Sequence, residues 1–294
     1  MKVYINGKLY SKEKALISVF DHGLLYGDGV FEGMRVYHNR IFKLKEHIDR
    51  LFESAKTIML ELPMSKKDLI DATVETVREN PYEDAYIRLV VTRGVGTLGL
   101  DPNKCLCPQV IIIVDKIVLY SQQTYEKGMA IITVATRRNL NEAVSPRVKS
   151  LNYLNNIMAK IEAQQSGYEE AIMLSQEGYI SECTGDNIFI IKNQQLLTPS
   201  LHHGVLEGIT RDAVMQLTGQ MGLGVHETTL LRHDLFNADE CFLTGTAAEV
   251  VPVVKIDGRV IGDGKPGAIT RKIAKGFASY VKKTGVLVDR RVRG

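Results

Sequence analysis

The sequence predicts an α+β protein of two domains, a small one at residues 1–120 and a larger one at 129–294, with 121–128 as the linker between them. Three observations predict it. Stretches of alternating or continuous apolar residues, the mark of strands, are interspersed in both halves with stretches of helical spacing. At 294 residues with 45 % hydrophobic side chains, the chain carries enough apolar surface for two cores. The polar run "SQQTYEKG" (121–128) falls between two of the most apolar segments, "QVIIIVDKI" and "MAIITVAT".

Taken in order, "KVYING" and "KLY" form a hairpin around Asn6-Gly7, a favoured two-residue turn. The glycine-dense "FDHGLLYGDGVFEGMRVY" (20–37) ends in a strand, and a turn at His38-Asn39 leads to "RIFKL". Ile48, Leu51, Phe52, Ala55, Ile58 and Met59 recur at helical spacing over 46–60. Pro63 closes that helix, and Ser65 with Asp68 forms a capping box for a helix over 66–79. The strands at 85–93 and 109–117 are apolar enough to lie inside a sheet. In the second domain, strands are expected at 129–136, in "EEAIMLS", through 178–199, at 240–246 and in "VVPVVKIDGRVI". Helices are expected at 151–166, 207–221 and 266–283, the first anchored by Leu151, Leu154, Ile157 and Met158.

Lysine and arginine number 37 against 34 acidic residues, a net +3 spread along the chain that points to neither nucleic acid nor a membrane surface. No window reaches the roughly 18 apolar residues of a membrane span, and "MKVYINGKLYSKEK" lacks the apolar region of a signal peptide, so the cytoplasm is the expected compartment. Four cysteines do not make a disulfide framework, and Cys105 with Cys107 lacks the second ligand pair of a metal site, so no metal is expected. "GVGTLG" (94–99) matches the dinucleotide fingerprint, but Pro102 and Pro108 stand where the required helix should open.

Other stretches supply what pyridoxal phosphate chemistry needs: an amine, an acid for the pyridine nitrogen and a phosphate cup. Lys149 is the candidate amine and Glu182 the candidate acid. "LEGITRDAV" (206–214) opens a helix at Gly208, Ile209 and Thr210, which suits an anion, although Thr210 also fits a simple cap. "LTGTAAEVVPV" (243–253) ends a strand in amides and Thr246, and Arg50 lies on the 46–60 helix. Each alone also reads as an ordinary surface, turn or capping residue.

Together with "YGDGVFEGMRVY", "HIDRLFESAK", "AYIRLVV", "KSLNYL", "GYEEAIMLSQEGYISECTGDNIFIIK", "LTPSLHHGVLEGITRDAV" and "ADECFLTGTAAEVVPV", they form an ordered pattern over nearly the whole chain. That pattern resembles the fold-type IV pyridoxal phosphate enzymes and, within them, the branched-chain-amino-acid aminotransferases. The resemblance implies a small N-terminal domain and a larger C-terminal, cofactor-binding domain with a pseudo-barrel sheet. It also implies transamination of L-leucine, L-isoleucine and L-valine with 2-oxoglutarate, in branched-chain amino-acid biosynthesis. Lys149 would be the Schiff-base lysine and the proton carrier between substrate Cα and cofactor C4′, and Glu182 would keep the pyridine nitrogen protonated. Tyr153 would bond the 3′ oxygen, and Arg50, Ile209, Thr210 and Thr246 would take the phosphate. Thr246, Ala247 and Tyr86 would receive the substrate α-carboxylate, and Arg88 the distal carboxylate of glutamate.

Tyr86 and Arg88 are expected from the neighbouring subunit of a homodimer. Tyr26, Phe31 and Val36 are the candidate apolar walls, with core packing as the other reading of Val36; Arg35 is a candidate for tuning local charge or for a structural role, and Tyr120 and Tyr125 are both candidates for a further aromatic wall. D-amino-acid aminotransferases of this fold pair an arginine with a histidine two positions on; Arg88 is followed by Leu89 and Val90, which favours the branched-chain function. Aminodeoxychorismate lyase is the other activity on the same frame.

Overall fold

The computed structural model describes residues 1–289. It divides into two compact units, one of Met1–Ile117, Val148–Asn152 and the chain from Val281 onward, the other of Val118–Arg147 and Tyr153–Tyr280.

The first unit contains β1 (Lys2–Ile5), β2 (Lys8–Ser11), α1 (His22–Tyr26), β3 (Gly29–Tyr37), β4 (Arg40–Ile41), α2 (Leu44–Thr57), α3 (Lys66–Arg78), β5 (Ala85–Thr92) and β6 (Gln109–Asp115). Asn6 and Gly7 both take positive φ, 47° and 88°, as the two-residue turn between β1 and β2 requires. The Ser65 side chain accepts from Asp68 N and the Asp68 side chain accepts from Ser65 N, so the capping box of α3 is complete.

The register of β3 against β5 decides what faces where: Phe31 pairs with Val90, Gly33 with Arg88 and Arg35 with Tyr86. Because side chains alternate, Val30, Glu32, Met34 and Val36 share one face with Ala85, Ile87, Leu89 and Val91. That face is the core, packed with Ile48, Leu51 and Ala55 of α2 and with Leu69 and Val77 of α3. Each such aliphatic side chain contributes roughly 1.5–3 kcal/mol when fully buried. Phe31, Gly33, Arg35, Tyr86 and Arg88 share the opposite face.

The second unit contains α4 (Gln122–Lys127), β7 (Met129–Arg137), α5 (Leu154–Gln165), β8 (Ala171–Leu174), β9 (Ile180–Cys183), β10 (Asn187–Lys192), β11 (Gln195–Pro199), α6 (Ile209–Gln220), β12 (Gly224–Thr228), α7 (Arg232–Phe236), β13 (Glu240–Gly245), β14 (Glu249–Ile256), β15 (Arg259–Val260) and α8 (Ala268–Lys283). Its strands run in the order β12-β11-β10-β13-β14-β7-β8-β9, with β15 on β14. Phe189 and Phe242 are cross-strand partners whose rings stack at 5.1 Å. The last strand, β16 (Val286–Leu287), belongs to the first sheet, ordered β16-β4-β3-β5-β6-β1-β2.

Three expectations change. Residues 121–128 are not a loose linker: Ser121 caps α4 through Thr124 N, the Tyr125 hydroxyl donates to the Ala248 carbonyl at 3.0 Å, and Tyr120 is buried. Residues 148–152 count with the first unit because their backbone bonds to β3, Phe31 N to Lys149 O at 2.9 Å and Leu151 N to Gly29 O at 3.0 Å. Finally, α5 begins at Leu154, not 151, and Leu154, Ile157 and Met158 are exposed. Its buried side is Asn156, Ala159 and Ala163, with the two alanines packed on Val134, Ala171 and Met173, because small residues let the helix sit close to the sheet.

The 94–99 loop opens no α-helix, only a three-residue turn at Pro102–Lys104. It is tied to α1, where His22 Nε2 lies 2.7 Å from the Thr97 carbonyl and the Tyr26 hydroxyl donates to the Leu98 carbonyl. Among the described residues, no helix is long and apolar enough to cross a membrane, and no cluster of three His, Cys, Asp or Glu side chains could hold a metal ion.

Candidate active site

Lys149 lies at a tight turn, Ser150 N donating to Val148 O at 2.8 Å, and is pinned by its backbone: its carbonyl accepts from Phe31 N, and its own N–H donates to Ser54 Oγ of α2 at 3.1 Å. The side chain is therefore aimed by main-chain contacts. Its Nζ lies 4.6 Å from the Phe31 ring centre, and the Arg88 guanidinium lies 4.5 Å from that ring and 5.5 Å from the Tyr86 ring. Two cations thus flank one buried aromatic ring. Gly33 makes the arrangement possible, since a Cβ there would run into the Tyr86 hydroxyl.

Tyr86 and Arg88, the residues expected from a neighbouring subunit, lie within this chain on the same face as Phe31. Both sit on β5, paired with the strand that carries Phe31. Val36 is not a pocket wall: it is fully buried on the opposite, core face. Tyr26 makes an edge contact with His22 at 5.0 Å and bonds the 94–99 loop, so its place is on α1. Arg35 lies 5.1 Å from the Tyr37 ring. Tyr120 is no aromatic wall either, since its hydroxyl is buried 3.1 Å from Asp186 Oδ2.

Arg50, the expected phosphate ligand, is held by a residue that sequence patterning missed. Glu32 lies on the core face of β3 and is fully buried. Its oxygens accept from Arg50 Nε and Nη2 at 2.7 Å each and from His47 Nδ1 at 2.7 Å. Burial alone would raise the Glu32 pKa, but the Arg50 charge and then His47 outweigh it and bring it down to about 2. Burial dominates at His47 and lowers its pKa, and its Nδ1–H donates a hydrogen bond to the Glu32 carboxylate.

A depressed carboxylate pKa stabilises the fold above its unfolded value of 4.5, and the contribution is lost as pH falls toward 2. Its size is about 3 kcal/mol. Urea unfolding of Glu32→Gln should therefore show a smaller loss of stability between pH 4.5 and 2.5 than the native protein. An unchanged acid slope would exclude this account.

In the second unit Glu182 is buried on β9. Arg138 Nη2 donates to its Oε1, while Asn187 Nδ2 and Leu206 N donate to Oε2 at 2.9 and 3.0 Å. Arg138 is itself buried, its Nε donating to the Gly204 carbonyl at 3.0 Å. A buried carboxylate needs this much company, because an unpaired one is costly. Arg138 and Asn187 carried no sequence signal, since the Arg138 pairing spans 44 residues.

Downstream, Gly208 is the N-cap of the 12-residue α6 and no side chain caps it, so Thr210 is a buried first-turn residue and not the cap. The amides of Ile209 and Thr210 lie at the positive end of that helix. Thr246 and Ala247 form the turn between β13 and β14. Thr244, just before them, has a buried hydroxyl with no partner among the described residues. Tyr153 is the N-cap residue of α5, with no side-chain cap bond. A buried paired carboxylate, an uncapped helix start and an orphaned hydroxyl form a donor and acceptor set that fits a phosphorylated, nitrogen-bearing ring.

Comparison with known proteins agrees with that chemistry. Residues 29–256 match the family model for amino-transferase class IV. A Methanocaldococcus jannaschii protein assigned as a branched-chain-amino-acid aminotransferase is 51 % identical over 98 % of this chain and 99 % of its own. The solved Escherichia coli branched-chain amino acid aminotransferase superposes with a TM-score of 0.93 at 34 % identity, over 97 % of this chain and 95 % of that one. The branched-chain amino acid aminotransferase of Thermobaculum terrenum, solved in its PLP-form, superposes with a TM-score of 0.88 at 31 % identity, over 96 % of this chain and 94 % of that one.

Proposed function

The chain belongs to the class IV aminotransferase family, and from that premise we propose that it moves the amino group of L-leucine, L-isoleucine and L-valine to 2-oxoglutarate. The products are branched-chain 2-oxo acids and L-glutamate, and the cofactor is pyridoxal 5′-phosphate. The observation that carries the substrate assignment is the Phe31 ring with Lys149 on it and Arg88 beside it. One surface must accept an aliphatic side chain in one half-reaction and a carboxylate in the other. An apolar ring serves the first, and the guanidinium pairs the carboxylate, which would be heavily penalised if left unpaired. An apolar pocket separates side chains one methylene apart by only about 1–3 kcal/mol, so all three branched-chain amino acids are accepted.

When bound, pyridoxal phosphate supplies an electron-withdrawing ring that makes the substrate Cα–H acidic. The residues around it divide the remaining work. Lys149 would hold the cofactor through its Nζ and would serve as the base that moves the substrate Cα proton. Glu182 would keep a proton on the pyridine nitrogen, and Tyr153 would bond the 3′ oxygen. The Ile209 and Thr210 amides and Thr246 would hold the phosphate, and Arg50, kept in place by Glu32, is the further candidate for it. Tyr86, Thr246 and Ala247 orient the α-carboxylate.

The test is a panel of single half-reactions on the cofactor-loaded protein with L-leucine, L-isoleucine, L-valine, D-alanine and aminodeoxychorismate. The yellow cofactor absorbance should bleach with the three branched-chain L-amino acids and release their 2-oxo acids. Bleaching by D-alanine alone, or pyruvate released from aminodeoxychorismate, would replace the assignment with one of the other activities of this fold.

A further inference from the structure

Asp186, just before β10, and Asn187, its first residue, stand where two glycines leave no room for a side chain. On Gly208, the residue before α6, a Cβ would run into Asn187 Oδ1; on Gly245, the residue before the Thr246–Ala247 turn, it would run into Asp186 Oδ1. Neither glycine has a positive φ. Glycine is required there by the close approach of these oxygens, not by backbone twist.

Both side chains are held from behind. Asn187 Nδ2 donates to Glu182 Oε2 at 2.9 Å and to the Leu206 carbonyl at 3.0 Å, so the acid residue and the run into α6 share one peg. Asp186 Oδ2 lies 3.1 Å from the Tyr120 hydroxyl, which is also 3.4 Å from Glu170 Oε2. Glu170 in turn accepts from Thr184 N at 2.9 Å, Thr184 Oγ1 at 2.6 Å and Lys160 Nζ at 3.0 Å. Glu170 thus has a cation and a hydroxyl of its own, while the Tyr120 hydroxyl lies nearer to Asp186, at 3.1 Å against 3.4 Å. The groups facing Asp186 are Glu170, Tyr120, Lys160 of α5, and Glu182 and Cys183 of β9. Burial first, and then the Glu170 charge, raise the Asp186 pKa to about 7.

We propose that Asp186 and Asn187 are positioning residues for the phosphate cup: Asn187 sets the amides that follow Gly208, and Asp186 sets those that follow Gly245. The inference rests on the assignment of Ile209, Thr210 and Thr246 to the phosphate. Ionising Asp186 puts a negative charge against the Gly245 backbone, next to the amides that must receive an anion. Because a raised carboxyl pKa keeps the proton on below about pH 7 and releases it above, affinity for the phosphate end falls as pH rises through neutrality.

The experiment measures dissociation constants of pyridoxal phosphate and of pyridoxal for the full-length protein stripped of cofactor, between pH 6 and 8.5. The pyridoxal constant divided by the pyridoxal phosphate constant isolates the phosphate, and comparing variants cancels the ligand's own titration. The native ratio should fall about tenfold more over that range than the ratio for Asp186→Asn, which stays neutral throughout. Gly245→Ala should lower the ratio by about tenfold at both ends while leaving pyridoxal binding unchanged; should that variant not fold, Asp186→Asn decides. If Asp186→Asn follows the native pH course, the proposal is overturned. A native protein with no preference for pyridoxal phosphate over pyridoxal would instead remove the phosphate assignment itself, and this proposal with it.

Discussion

Lys149→Ala is expected to cut turnover on the order of 10⁴-fold or more, since it removes both the nucleophile and the proton carrier. It should not cost the fold. The contacts that place residue 149, Phe31 N to its carbonyl and its N–H to Ser54 Oγ, are main-chain contacts that alanine keeps. The variant should therefore melt with the native protein, bind cofactor without a borohydride-fixable link, and recover part of its activity with an added primary amine. Turnover within tenfold of native would remove Lys149 from the chemistry. A collapse of the melting transition would instead mark it as a structural residue.

Arg88→Ala is expected to separate the two half-reactions. With 2-oxoglutarate or glutamate, a distal carboxylate would enter the pocket unpaired, and kcat/KM should fall by about 10²–10³-fold, in line with removing one partner of a buried charge pair. With leucine the lost group only covers the ring, and a change of a few-fold is expected. Arg88→Lys should recover the carboxylate only in part, because the planar guanidinium also lies against Phe31 and Tyr86, and an ammonium does not stack in that way. Equal losses for leucine and 2-oxoglutarate would make Arg88 a packing residue. Half-reaction rates for each substrate decide the matter.

The candidate chemistry was legible because it resides in short local stretches. The Asn6-Gly7 turn, the Ser65–Asp68 box and the helix opening at Gly208 each follow from the preferences of a few neighbouring residues, and the structure realises all three. The partners that make those groups usable lie far away in sequence. Glu32 could have been flagged, since alternation along β3 puts a carboxylate on the core face, and a buried charge demands partners. Arg138 could not, because nothing local ties it to Glu182.

Apolar patterning misled in a physically specific way. The stripe of Leu154, Ile157 and Met158 fits a helix face but does not say which face meets the sheet. Ala159 and Ala163 take that place because the helix approaches closely there.

By itself, then, the sequence determined most of the strands and helices, because backbone preference and period are local properties, and the ordered pattern of its motifs pointed to the candidate lysine, acid and anion-binding turns. Tertiary structure alone decided that Phe31, Tyr86 and Arg88 share one face in one chain, and that Glu32 holds Arg50. It alone placed Asp186 and Asn187 in the space that Gly245 and Gly208 leave open. Those outcomes depend on strand register and on distances of a few ångströms between residues far apart in the chain, quantities that no short stretch of sequence contains.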